Sequence, residues 1–259
     1  MDSIIAFLTD APGVSLSVQV LLIGVSFIGS ALAGALGLGG GALVLAVMAL
    51  FFPPAVLIPL HGVVQLGSNL GRAVLMARQV LVRIVPVFLA GTVIGALVGA
   101  KSVVSLPVHL LQTIVGLFIL YAAWGEKFRL KAGKPSQPKF FIVGGLAAFA
   151  TMFVGATGPL IAPFVRSACS DRLQVVATHA ALMTLQHGFK IIAFGLLGFA
   201  FWPYVPFLVA MLAAGFVGTV VGREVLDRMP EKTFRICFNV LLTLLAIRLL
   251  WVAVPRFFA

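Results

Sequence analysis

Apolar residues run along most of the chain in stretches cut by glycine or proline clusters and by isolated charges. A helix needs about 20 apolar residues to cross a bilayer core. By that measure the first half holds segments A (14–36), B (40–52, short), C (55–77), D (84–100) and E (107–124). The second half holds A′ (140–154), B′ (156–166), C′ (173–199), D′ (204–222) and E′ (233–254). Between them lies a long polar stretch, 126–139, with Lys127, Arg129, Lys131, Lys134 and Lys139 against Glu126. Pro135 and Pro138 argue against a helix there. The pattern predicts an all-α polytopic membrane protein: a first repeat at 1–125, a basic linker at 126–139 and a second repeat at 140–259.

The halves match each other residue by residue. Gly41 pairs with Gly158 at an offset of 117. With one residue inserted, His61 pairs with His179, Asn69 with His187 and Arg72 with Lys190. Gly95 and Gly99 pair with Gly218 and Gly222, and Pro107 with Pro230, all at an offset of 123. Several nearly equal offsets in chain order point to an internal duplication.

Composition removes the soluble classes. Hydrophobic residues are 61% and charged residues 10%, against about 45–50% and 25% in ordinary globular domains; mean hydropathy is +1.17. The net charge of +11 would suggest nucleic acid in a soluble protein, but cytoplasmic loops of membrane proteins collect Lys and Arg, so no nucleic-acid partner is expected. The linker then lies in the cytoplasm, with Arg78, Arg83, Arg166, Arg172, Arg223, Arg228 and Lys232. The N-terminal stretch, with Asp2 and Asp10 and no basic residue, lacks the basic start of a signal peptide and lies outside. Lys101 falls outside against the rule, and Trp202 and Tyr204 fit an outer interfacial belt. Five passes per half satisfy nearly all of this. If A–B and A′–B′ are re-entrant hairpins, two passes vanish from each half and the parity stays odd. Either way the halves are antiparallel, an inverted-topology repeat.

Glycine marks the candidate chemistry. Gly37, Gly39, Gly40 and Gly41 separate A from B, and Gly155-Ala156-Thr157-Gly158-Pro159 is the matching break. Irregular backbone at membrane depth is tolerated where it is buried in protein or lines a wet cavity, and freed N–H groups at a helix start favour an anion. Close packing at small residues is the competing account. Segment C carries His61, Gln65, Asn69 and Arg72 at steps of 4, 4 and 3, one helical face; C′ carries His179, Gln186, His187 and Lys190. Intramembrane polar groups face a bundle interior or cavity; interhelical hydrogen bonds, and snorkelling for Arg72 and Lys190, are the alternatives. Arg, Lys and His together favour an anion, with Gly39, Gly40, Gly41, Thr157, Gly158 and Pro159 completing the substrate-binding set.

The seven acids fall in termini or expected loops, which disfavours a carboxylate proton relay and leaves histidine-based coupling open. Cys169 and Cys237 read as buried free thiols. No metal site, cofactor or enzyme signature is expected. Gly95-x-x-x-Gly99 and Gly218-x-x-x-Gly222 read as packing faces, within one protomer or between the two of a homodimer.

At the glycine motif the chain resembles the sulfite exporter TauE/SafE family of membrane transporters. GALGLGGGALVLAVMALFFPPAVLIPLHGVVQLGSNLGRAVLMARQ resembles its first repeat and VGGLAAFATMFVGATGPLIAPFV its second, and the likeness runs from Leu16 to Trp251. It places Gly39, Gly40, Gly41, Gly158 and Pro159 on the family's glycine-rich motif, with Pro163 on the proline beyond it. The first half lacks that proline near Val47, and His61 and His179 stand where small hydroxyl residues are commoner. The resemblance implies a multi-pass transporter of the bacterial inner membrane that moves sulfite or an organosulfonate; alternating access between the halves is the mechanism expected of it. A non-transporting scaffold or assembly factor and an anion channel are the rival readings.

Overall fold

The computed structural model of the chain describes residues 11–36, 40–103, 107–125, 133–225 and 231–257. Among these there are ten α-helices and no strand. The first half contributes α1 (Leu16–Leu36), α2 (Gly40–Met48), α3 (Pro54–Leu75), α4 (Val85–Val103) and α5 (Val108–Trp124). The second contributes α6 (Gln137–Val154), α7 (Gly158–Ala168), α8 (Arg172–Leu196), α9 (Val205–Val225) and α10 (Glu231–Ala253). Every apolar segment therefore has its helix. Gly39, residues 126–132 of the linker and the acidic N-terminal residues lie outside the described residues.

Four expectations are corrected. Residues 137–139, read as linker, form the first turn of α6: Pro138 sits at its start, where a missing N–H costs nothing. Glu224 and Glu231 fall in the terminal turns of α9 and α10, not in a loop. Cys169 is half-buried, with Sγ 3.8 Å from Thr178 Oγ1. Tyr204 turns inward, edge-on to Phe52 and stacked on Phe199, while Trp202 stays exposed.

The two short helices matter most. α2 has 9 residues and α7 has 11, roughly 14 and 17 Å at 1.5 Å per residue. Neither crosses a core of about 30 Å, so segments B and B′ are not full passes by themselves. The start of α2 consequently comes to rest opposite the middle of α3, with Gly41 facing Gln65. The start of α7 rests opposite the middle of α8, with Gly158 facing His179 and Met183. Among the described residues five stretches are long and apolar enough to span a membrane: Leu16–Ala33, Val82–Val103, Gln137–Val154, Trp202–Gly222 and Asn239–Arg256. α3 and α8 are as long but carry the polar side chains, and these are buried between them. Asp171 caps α8 by accepting from Gln174 N at 2.9 Å, which holds this exposed carboxyl below its ordinary range.

Helix pairing crosses the chain midpoint. α1 runs alongside α9 in the same direction: Ser26 Oγ donates to the Met211 carbonyl at 2.8 Å, Gly218 meets the Phe27 carbonyl and Gly222 that of Ala31. α4 runs alongside α6 likewise, with Gly91 on Phe141, Gly95 on Gly145 and Gly99 on Phe149 and Met152. α3 and α8 are antiparallel, with Gly62 on Lys190 and Gly188 on Leu66. α5 and α10 are antiparallel too, with Gly116 on Leu250 and Trp124 Nε1 donating to Thr243 Oγ1 at 2.7 Å. Both GxxxG faces are thus occupied within the protomer, and a dimer through them would have to displace α6 or α1.

A Cβ at Gly95 or Gly218 would overlap the facing backbone carbonyl. Gly95→Val and Gly218→Val are each expected to lower stability in detergent by about 1–3 kcal/mol, the usual cost of overpacking. Thermal unfolding of the purified variants checks this, and unchanged midpoints would show that the backbones do not approach so closely.

Candidate functional site

The site grows from the place where the two breaks meet. α6 ends at Gly155, whose φ of +80° is left-handed and suits glycine. Its N–H closes the helix on the Thr151 carbonyl at 3.0 Å, and its own carbonyl is left facing the interior. Lys190 Nζ donates to that oxygen at 2.7 Å, and His61 Nδ1 lies 3.1 Å from it. The other ring nitrogen of His61, Nε2, lies 2.9 Å from the carbonyl oxygen of Gly41, at the start of α2. One imidazole therefore joins the two breaks. Both side chains are wholly buried.

In front of this junction is a cavity of about 50 Å³, room for water or a small ion. Gly40, Gly41, Gln65, Asn69 and Arg72 line it from the first half, and Thr157, Gly158, Pro159, His179 and His187 from the second. Of the residues expected on the site, His61, Gln186 and Lys190 stand behind the wall: Gln186 accepts from Thr157 Oγ1 at 2.7 Å and holds the second break from the rear. Gly39 is outside the described residues. Ala33, Ala42, Ala156 and Met183 also line the cavity and were missed. Met183 was legible, because it lies midway between His179 and His187 at helical spacing, on the same face.

Arg72 and Lys190, paired by the sequence offset between the halves, do different things. Arg72 is 6% exposed. Its Nη2 donates to Asn69 Oδ1 at 2.8 Å, and Asn69 Nδ2 donates to the Gln65 carbonyl at 2.7 Å. Its Nη1 is buried without a hydrogen-bond partner. The guanidinium thus folds back toward the cavity and does not snorkel. Lys190 is spent on the Gly155 carbonyl and does not line the cavity. His187 Nδ1 is a further buried nitrogen without a partner, and His179 Nε2 lies 3.2 Å from the Gly158 carbonyl oxygen. Among the described residues no carboxylate lines the cavity. Unpaired buried cations are costly, so the wall is arranged for a ligand that brings negative charge and accepts hydrogen bonds.

A model of the family described as Sulfite exporter TauE/SafE matches residues 22–249, a span that contains both breaks and both polar helices. No curated protein and no solved structure matches the chain.

Lys190 acts here as a tie on the backbone. Lys190→Met is expected to lower stability by about 1–3 kcal/mol, the worth of a hydrogen bond from a charged group. Denaturant or thermal unfolding in detergent measures it; a variant as stable as the wild type would show that Gly155 does not depend on the ammonium.

Proposed function

Because the chain belongs to the TauE/SafE sulfite exporter family, a family of membrane transporters and not of enzymes, we propose that it carries a small sulfur-containing anion, sulfite or an organosulfonate, across the bacterial inner membrane. The observation that carries this reading is the unpartnered guanidinium nitrogen of Arg72, buried in a wall with two histidines and no described carboxylate. Oxyanions match a guanidinium fork in geometry as well as charge. The glycines and alanines of the wall let backbone approach the ligand closely.

The route is alternating access of the two halves about this cavity. Support comes from the exchanged pairing: α1 runs with α9 as α6 runs with α4, and α3 and α5 cross their counterparts antiparallel. That is the arrangement an inverted repeat with a two-fold axis through the cavity would give. The wall is drawn from both halves, so a movement of one against the other opens it to one side. With the basic linker in the cytoplasm both termini face the periplasm.

Protein in liposomes is expected to take up labelled sulfite or sulfonate saturably and to show counterflow, which a channel or scaffold would not. Arg72→Gln is expected to remain folded and to bind the anion about 10- to 100-fold more weakly, in line with about 1.5–3 kcal/mol for a charge-assisted bond. Wild-type affinity in that variant would remove Arg72 from the site. A side chain at Gly40 would overlap the Gly29 carbonyl and disturb the packing of α2 on α1. Lys134→Cys in intact cells is expected to resist impermeant thiol reagents and to react after the membrane is opened; reaction from outside would invert the topology.

A further inference from the structure

The geometry at His61 has a consequence beyond its charge, and it rests on the anion reading above. Both ring nitrogens lie at hydrogen-bond distance from backbone carbonyl oxygens, Nε2 at 2.9 Å from Gly41 and Nδ1 at 3.1 Å from Gly155. Carbonyl oxygens only accept. A neutral imidazole carries one N–H, so it satisfies one contact and turns a lone pair toward the other oxygen. Imidazolium, with an N–H on each side, satisfies both.

The charge around the ring decides when imidazolium can persist. From α8, Lys190 shares the Gly155 oxygen, and the His187 ring lies edge-on with centroids 6.1 Å apart. His179, also on α8, and Arg72, on the same helix as His61, stand along the cavity wall. α1 and α2 carry no titratable residue, those of α5 (His109, Tyr121), α6 (Lys139) and α9 (Arg223, Glu224) lie in terminal turns, and Lys190, on the shared Gly155 oxygen, is the cation beside the ring. An imidazolium beside an ammonium with no acid to balance them is strongly disfavoured. An anion in the cavity supplies the missing charge. Occupation of the cavity and protonation of His61 therefore favour each other, and that coupling is reciprocal.

We propose that the site loads one proton with each anion, His61 being the proton acceptor, so that transport is proton-coupled. The proton comes from cavity water and reaches the free ring nitrogen of His61 past His187, whose Nδ1 is unpartnered and whose side chain lines the cavity. Loading closes the second hydrogen bond and ties Gly41 to Gly155. When the anion leaves, His61 returns its proton to the water on that side, and one of the two ties is lost.

The test uses the purified full-length protein in detergent with methanesulfonate and sulfate, whose charges stay constant over about pH 5–8, the range in which histidine titrates. Affinity is expected to fall with rising pH by up to about tenfold per unit, and a pH dye in weak buffer is expected to record proton uptake on binding. His61→Gln is expected to lose both the slope and the uptake and to bind at the weak affinity of the wild type at alkaline pH. If that variant does not fold, the wild-type proton count decides alone. Binding that is independent of pH, with no proton taken up, would overturn the coupling and leave the anion reading standing. Uptake that persists in His61→Gln would overturn the assignment to His61. Failure of both anions to bind at any pH would overturn the anion reading and the coupling with it.

Discussion

A helix that stops inside an apolar surrounding leaves carbonyls with no water to accept from, and the structure is organised around that constraint. Breaking α6 at Gly155 frees one such oxygen, and beside it lies the Gly41 carbonyl in the first turn of α2, whose oxygen can accept a second hydrogen bond. Each unmet group would cost several kcal/mol in lipid. His61 and Lys190 meet the demand from the two long polar helices. That is why α3 and α8 lie face to face at the centre while the more apolar helices sheath them. The cavity is the space left where the two short helices end against this pair.

The sheath depends on glycine. Gly91, Gly95 and Gly99 on α4, and Gly218 and Gly222 on α9, are each seated against a carbonyl of the neighbouring helix. Lipid gives no hydrophobic drive to bring one helix to another, so close backbone approach and dispersion must hold them. The outward faces, with Leu97, Leu146, Leu244 and Trp251 exposed, are suited to acyl chains. Polar centre and apolar sheath thus follow from a single rule applied twice: satisfy donors and acceptors inside, and pack tightly where there are none.

Much of this was legible in the chain. Hydropathy located all ten helices, because long apolar runs bounded by charge or glycine leave few choices. Pro138 misled, since proline opens a helix as readily as it ends one. The polar face of C pointed inward in the sequence, and Gln65, Asn69 and Arg72 line one cavity. What could not be read is which polar groups face the ligand and which hold the backbone. His61 and His179 stand at the same sequence offset as their neighbours in the two halves, yet one lies between the Gly41 and Gly155 carbonyls and the other borders the cavity. Arg72 and Lys190 match as well, and their difference turns on where the Gly155 carbonyl points, a property of φ at one residue.

The exchanged pairing also bears on how the protein is made. Ser26 on α1 finds its acceptor 185 residues later, at Met211. At 5–20 residues per second a ribosome takes roughly 10–40 seconds to cover that distance. Throughout that interval α1 must persist in the bilayer without α9, with the Ser26, Phe27, Ser30 and Ala31 face that α9 will cover open to lipid. Its span, with a mean hydropathy of 2.0, suits it to wait, whereas α3, with its buried cation and amides, is poorly suited to do so before α8 is made. Insertion of the polar helix is therefore the vulnerable step in biogenesis, and the apolar helices made before it form the scaffold that it enters.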